Sequence, residues 1–172
     1  MDALRRVLVP FLLLVMVISL PGCGRPKGAE LPFETVGKGD EFGGVEGYGG
    51  EHPKLVIVLS PKEIPLIESD VPRLAQKLKD IDYGQFYVVA VFQGRKPSGA
   101  YGVEIQSFRL QDDVVTIYSC FATPKPGQER TLVVTSPYHL VKKSKENLVG
   151  KEVEFVLLAD GAEVARQRVT IR

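Results

Sequence analysis

Phe86-Tyr87-Val88-Val89-Ala90-Val91-Phe92 runs directly into Gln93-Gly94-Arg95-Lys96-Pro97-Ser98-Gly99-Ala100-Tyr101. The first seven residues are rich in β-branched and aromatic side chains, which fit a pleated, half-buried surface. They read as a strand. Gly94 and Gly99 give freedom at the ends of the break that follows, and Pro97 fixes one φ between them. The expectation is a hairpin turn, with Tyr101 opening the returning strand.

Strand signals then continue to the end of the chain. Tyr101, Val103 and Ile105 alternate, and Phe108 and Leu110 follow one step out of phase. An odd step of that kind places a bulge near Gln106 or Ser107. Gln111-Asp112-Asp113 is a tight turn into a strand over Val114 to Phe121, stopped by Pro124-Lys125-Pro126-Gly127. Leu132 to Val141 is another strand, kinked at Pro137. Glu152 to Ala159, an Asp160-Gly161 turn and Glu163 to Ile171 form a closing hairpin.

Upstream, Lys54 to Leu59 is a continuous apolar run that suits a buried strand. Ser60-Pro61-Lys62-Glu63 has the form of a capping box with proline at the first helical position. Ile64, Ile67, Val71, Leu74 and Leu78 recur at spacings of three and four, which is one helical face. Pro65 and Pro72 rule out one straight helix, so a short turn and a helix from about Asp70 to Lys79 are expected. Seven of the fourteen residues from Gly37 to Gly50 are glycine, and the segment reads as a connector. The fold class is therefore α+β: an antiparallel β-rich domain over residues 32–172, with about seven strands and one short helical segment. Asp82 to Lys145 is expected to form one contiguous antiparallel sheet. The apolar helical face should cover it.

Two stretches carry a resemblance. Val88 to Tyr101 is the first, and Thr135-Ser136-Pro137-Tyr138-His139-Leu140-Val141 is the second, with Pro124-Lys125-Pro126-Gly127 between them. Together, over about residues 82–145, they resemble the C-terminal domain of the PrcB family. The family's usual Thr-Gly-Gly-Tyr is here Ser98-Gly99-Ala100-Tyr101, and alanine disfavours a left-handed backbone at that point. The resemblance implies a bacterial lipoprotein or secreted protein that acts as accessory partner to a protease and is not itself the protease. It brings the Gly94–Tyr101 turn and the Pro137–His139 segment into one domain. Partner contacts are accordingly expected at Tyr101, Tyr138 and His139. Read physically, the same residues shape the fold: Ser136-Pro137 would end ladder pairing and turn Tyr138 to a new face.

The N-terminus adds a location. Arg5-Arg6 precedes an apolar run from Val7 to Leu20, and Leu20-Pro21-Gly22-Cys23 closes it. A charged start, an apolar middle and small residues at the end make a secretory signal. A transmembrane helix would need roughly 20 apolar residues, more than this run has. The closing residues resemble the lipobox of bacterial lipoproteins. That resemblance implies removal of residues 1–22, a lipid on Cys23, a tether over 23–31 and anchorage to the extracytoplasmic side of a bacterial membrane. Cys120 is then the one free thiol of the mature chain, so no internal disulfide forms.

Composition narrows the function. The chain has 22 basic and 21 acidic residues; without Met1 to Gly22 it has 20 of each. No basic excess draws nucleic acid. His52 and His139 lie far apart in sequence and belong to no zinc-ligand motif, and no metal, phosphate-loop or cofactor signature appears. No serine sits in a nucleophile elbow. Asp112-Asp113 and Asp80 with Asp82 read as turn carboxylates, Cys120 as a small core or half-buried residue, and His139 as an exposed histidine beside a strand. The reading is a non-catalytic, lipid-anchored partner of another extracytoplasmic protein. A small-molecule or cell-wall glycan binding module that uses the glycine-rich loop and tyrosines is the alternative.

Overall fold

A computed structural model describes residues 29–42, 47–125, 127 and 132–172. The signal, Cys23 and most of the tether lie outside these residues. Nine strands stand among those described: β1 (Ala29–Glu30), β2 (Glu34–Phe42), β3 (Lys54–Val58), β4 (Phe86–Phe92), β5 (Gly102–Gln111), β6 (Val114–Ala122), β7 (Thr135–Ser144), β8 (Glu152–Ala159) and β9 (Ala162–Thr170). They form two sheets, ordered β1-β5-β6-β8-β9 and β2-β7-β4-β3.

This corrects the expectation of one contiguous sheet over Asp82 to Lys145: β4 and β7 lie in one sheet, β5 and β6 in the other. It also corrects the hairpin. The Gly94–Tyr101 break carries the chain from one sheet to its neighbour. The reason lies in burial. Every residue from Tyr87 to Phe92 is buried, whereas β5 alternates between buried and exposed positions over its first half. A strand apolar on both faces needs a layer on each side, and a strand with one polar face belongs in an outer layer. The β6–β8 pair is parallel, not antiparallel as expected. The chain reverses into β7 of the other sheet and reverses again into β8, and two reversals restore the original direction.

Three layers result. Tyr87, Val89 and Val91 of β4 meet Phe108, Ile117, Phe155 and Leu157 between the sheets. On the opposite face of the four-stranded sheet, Val88, Ala90, Phe92 and Leu140 pack under Ile64, Ile67, Val71, Leu74 and Leu78, the helical face read from spacing. That cover is broken into 3₁₀ turns at Pro61–Glu63 and Pro72–Leu74 and short helices α1 (Pro65–Glu68) and α2 (Ala75–Lys79). No helix starts at Asp70, because Val71 before Pro72 is held at φ −143°. Ser60 makes no side-chain cap; the Glu63 carboxylate instead accepts the Leu59 N–H at 2.7 Å. The Lys54 ammonium moors the cover to β3 by donating to Asp70 at 2.6 Å and to the Leu66 carbonyl at 3.3 Å.

Gly37 to Phe42 is part of strand β2, not a connector, and Ala29–Glu30 of the expected tether pairs with β5. A Cβ on Gly37 would lie 2.4 Å from the Leu74 side chain, so its absence lets β2 pass beneath the cover. Residues 43–46 of the glycine-rich segment lie outside those described. The bulge read from the odd step stands between Ile105 and Ser107. The β8–β9 hairpin turns at Asp160 and Gly161 with φ of 51° and 87°, the left-handed pair a tight hairpin requires.

Two substitutions test this architecture. Leu78 is fully buried, and Leu78→Ala should lower unfolding free energy by about 2–5 kcal/mol in urea titration. Gly94 has φ +87°, and a Cβ there would sit 2.5 Å from the Glu51 carbonyl oxygen. Gly94→Ala should therefore cost about 2 kcal/mol or more, by backbone strain and contact with a backbone atom that cannot swing away.

Candidate functional site

The two stretches quoted above lie side by side. Lys96 N–H donates to the Thr135 carbonyl at 2.8 Å, and Thr135 N–H returns the bond to Lys96 at 2.9 Å. The Thr135 hydroxyl donates to the Ser98 carbonyl at 3.0 Å. Gln93 N–H donates to the Pro137 carbonyl at 3.0 Å, and its side-chain amide to the Ala122 carbonyl at 3.3 Å. Arg95 N–H reaches the Gly50 carbonyl at 2.8 Å. The crossover is thus tied down at its base, leaving Arg95, Pro97 and Gly99 exposed. Tyr101 is half-buried at the foot of β5, with the Lys96 ammonium 5.8 Å from its ring centre.

Pro137 does not end pairing on the β2 side, where the ladder runs on to Thr135 opposite Phe42. On the β4 side it does stop, at Tyr138 opposite Phe92. Proline is accommodated because its missing N–H falls where β4 runs out. Tyr138 is buried under the helical cover, its ring 6.5 Å from that of Phe92. His139 is 3 % exposed, which corrects its reading as an exposed histidine. Neither Tyr138 nor His139 presents its side chain to solvent. Of the three expected contact residues, Tyr101 alone does so in part.

His139 belongs to β7 but binds outside it. Its Nδ1 accepts the Ile105 N–H of β5 at 2.9 Å, and its Nε2 lies 3.0 Å from the Thr35 hydroxyl of β2. An Nδ1 that accepts a backbone N–H leaves the ring proton on Nε2, which donates to Thr35. Burial pushes the His139 pKa down to about 4; Lys38 adds to this and Glu104 opposes it.

Val141, Lys143 and Lys145 follow His139 at alternate positions and so face the same way. The Lys143 ammonium donates to the carbonyls of Leu31 at 3.1 Å and Pro32 at 2.6 Å, and lies 4.3 Å from the Phe108 ring centre. Burial pushes it down to about 8. The Lys145 ammonium donates to backbone oxygens of Leu59 at 3.1 Å, Tyr83 at 2.7 Å and Arg172 at 2.8 Å. Burial lowers its pKa, while Glu63 and Asp82 raise it. Sequence reasoning missed both lysines, although their alternation with Val141 was the available signal. Lys145 forms part of the wall of a cleft of about 1020 Å³ beside Ser60, Glu63, Asp82 and Tyr83. Its three N–H groups match its three backbone oxygens, so the ammonium acts as a clamp.

The remaining candidates are separate from this corner. His52 is exposed. Cys120 is half-buried opposite Glu104, and burial, with a hydrogen bond to Asp160, pushes its thiol up, away from the reactive thiolate. Asp82 shapes a turn by accepting the Gly84 N–H at 2.9 Å. Among the described residues no three of His, Cys, Asp and Glu gather as a metal set.

Fold and site define a layered β protein in which a glycine–proline crossover is tied to the start of a Ser-Pro-Tyr-His strand. The family model described as PrcB C-terminal matches residues 87–143, and this segment of the chain is similar to that family. The match runs from β4 to β7 and takes strands from both sheets. No curated protein and no solved structure matches the chain.

Lys145→Met should destabilise the fold by about 3 kcal/mol or more, since it strands buried backbone oxygens at about 1–3 kcal/mol each. Lys62→Met, an exposed change in the same cleft, should stay within about 0.5 kcal/mol. Paired chemical denaturation curves check both.

Proposed function

We propose that this chain is a non-catalytic accessory protein that binds another extracytoplasmic protein, a protease being the class its family points to. Cys23 carries the lipid that holds it at a bacterial membrane. The observation that carries the reading is the crossover within the family segment. Its base is fastened by backbone hydrogen bonds, while Arg95, Pro97 and Gly99 stand in solvent and Tyr101 is half-open beside Lys96. A rigid base with a small polar and aromatic tip suits protein recognition, because little order is lost on docking. Two groups a hydrolase could recruit are otherwise engaged: both ring nitrogens of His139 are in structural hydrogen bonds, and the Cys120 thiol is raised. A lipid tether would supply a high local concentration at the membrane.

The test is capture from solubilised native membranes. The wild-type chain should retain a stoichiometric protein partner, and Tyr101→Ala should lower retention about tenfold with an unchanged circular dichroism spectrum. Specific glycan retention without a protein would favour the glycan-binding alternative. Proteolysis by the pure chain that a point substitution abolishes would overturn the reading. For the anchor, a fatty-acid probe should label the wild type and leave Cys23→Ala unlabelled; equal labelling would rule it out.

A further inference from the structure

We propose that His139 is an acid-sensitive fastener between the two sheets, closed by the neutral ring and opened when the ring takes a second proton. The inference does not depend on the binding role. No strand ladder joins β2 or β7 to β5. At this side of the molecule the sheets meet through side chains: His139 between Ile105 and Thr35, and the Lys38–Glu104 ion pair at 3.3 Å. The ion pair is open to water, with side-chain exposures of 43 % and 61 %, and contributes little. The imidazole is the buried part of the join.

Its chemistry is one-sided. Neutral imidazole has one acceptor and one donor, and here both are used. The imidazolium has two donors. Protonation at Nδ1 therefore sets a ring N–H against the Ile105 N–H, and the Ile105 amide loses its acceptor. The surroundings offer no paired anion for the new charge. Lys38 of β2 disfavours it, Glu104 of β5 favours it but is held by Lys38, and β4 faces His139 with Val91. Beyond Glu104, β6 contributes Cys120. With the pin released, the β2–β5 seam opens beside Gly102, Val103 and Cys120, which line a small cavity there.

The sign follows from linkage. The unfolded ring protonates near its ordinary value of 6.5 and the folded ring near 4. The contribution is complete above pH 6.5 and is lost as pH falls from 6.5 through 4. Urea unfolding of the whole chain in detergent, from pH 7 to pH 4, tests it against His139→Gln, whose amide can accept and donate but does not titrate. The wild-type unfolding constant should rise about a hundredfold more than the variant's over that range. In the native chain, ring ¹⁵N shifts should report His139 protonation, and Ile105 amide exchange should accelerate in step with it beyond the intrinsic pH effect. Parallel pH profiles for the two chains, or Ile105 protection that stays constant while the ring titrates, would overturn the proposal. If His139→Gln does not fold, the native-chain exchange measurement decides alone.

Discussion

Strand β7 and Lys145 just beyond it bury polar and charged side chains, and the rest of the fold is arranged to satisfy them. His139, Lys143 and Lys145 share one face with Val141, which lies in the inter-sheet core. Burying an ammonium without partners would cost several kcal/mol. The oxygens that meet the lysines belong to Leu31, Pro32, Leu59, Tyr83 and Arg172. All five lie outside the strands, at the places where the chain enters or leaves a ladder. Such carbonyls have no partner within a sheet, and buried backbone acceptors need one. The lysines and the chain breaks thus solve each other's problem. One strand gathers the ends of its neighbours.

Layering follows from the same strand and its companion β4. Both are buried over most of their length, so the four-stranded sheet sits in the middle. The helical cover closes one face, and the five-stranded sheet the other. At the remaining edge, the Gln167 side chain of β9 accepts the Ile57 N–H of β3 at 3.2 Å. Side chains thus link the sheets on two sides: Gln167 to β3 on one and His139 of β7 to β5 on the other. A sheet edge capped in this way is less available for uncontrolled pairing. The family segment, residues 87–143, holds β4 and β7 at the centre together with the crossover between sheets. Its glycine and proline positions therefore serve the fold first.

Much of this was legible in order along the chain. The strands from Phe86 onward, the bulge near Ser107, the closing hairpin at Asp160-Gly161 and the apolar helical face could each be read locally. Each depends on a period or on a turn residue, and those are properties of neighbouring positions. The glycine-rich stretch misled because Gly37 and Gly39 have poor strand propensity, yet β2 pairs along β7 there. A close approach by Leu74 makes glycine useful at Gly37, and no local pattern announces such an approach. Tyr138 and His139 looked like surface residues because a Pro-Tyr-His run is polar in composition.

The sequence by itself determined the strands from Lys54 onward, the bulge near Ser107, the Asp160-Gly161 turn and which face of the helical segment is apolar, because alternation and spacing act over a few residues. Tertiary structure alone decided which sheet each strand joins, that β6 and β8 run parallel, and that His139, Lys143 and Lys145 lie inside. The reason is physical: a period identifies a face but not the surface that will cover it. The acceptors for these side chains come from segments up to 112 residues away along the chain.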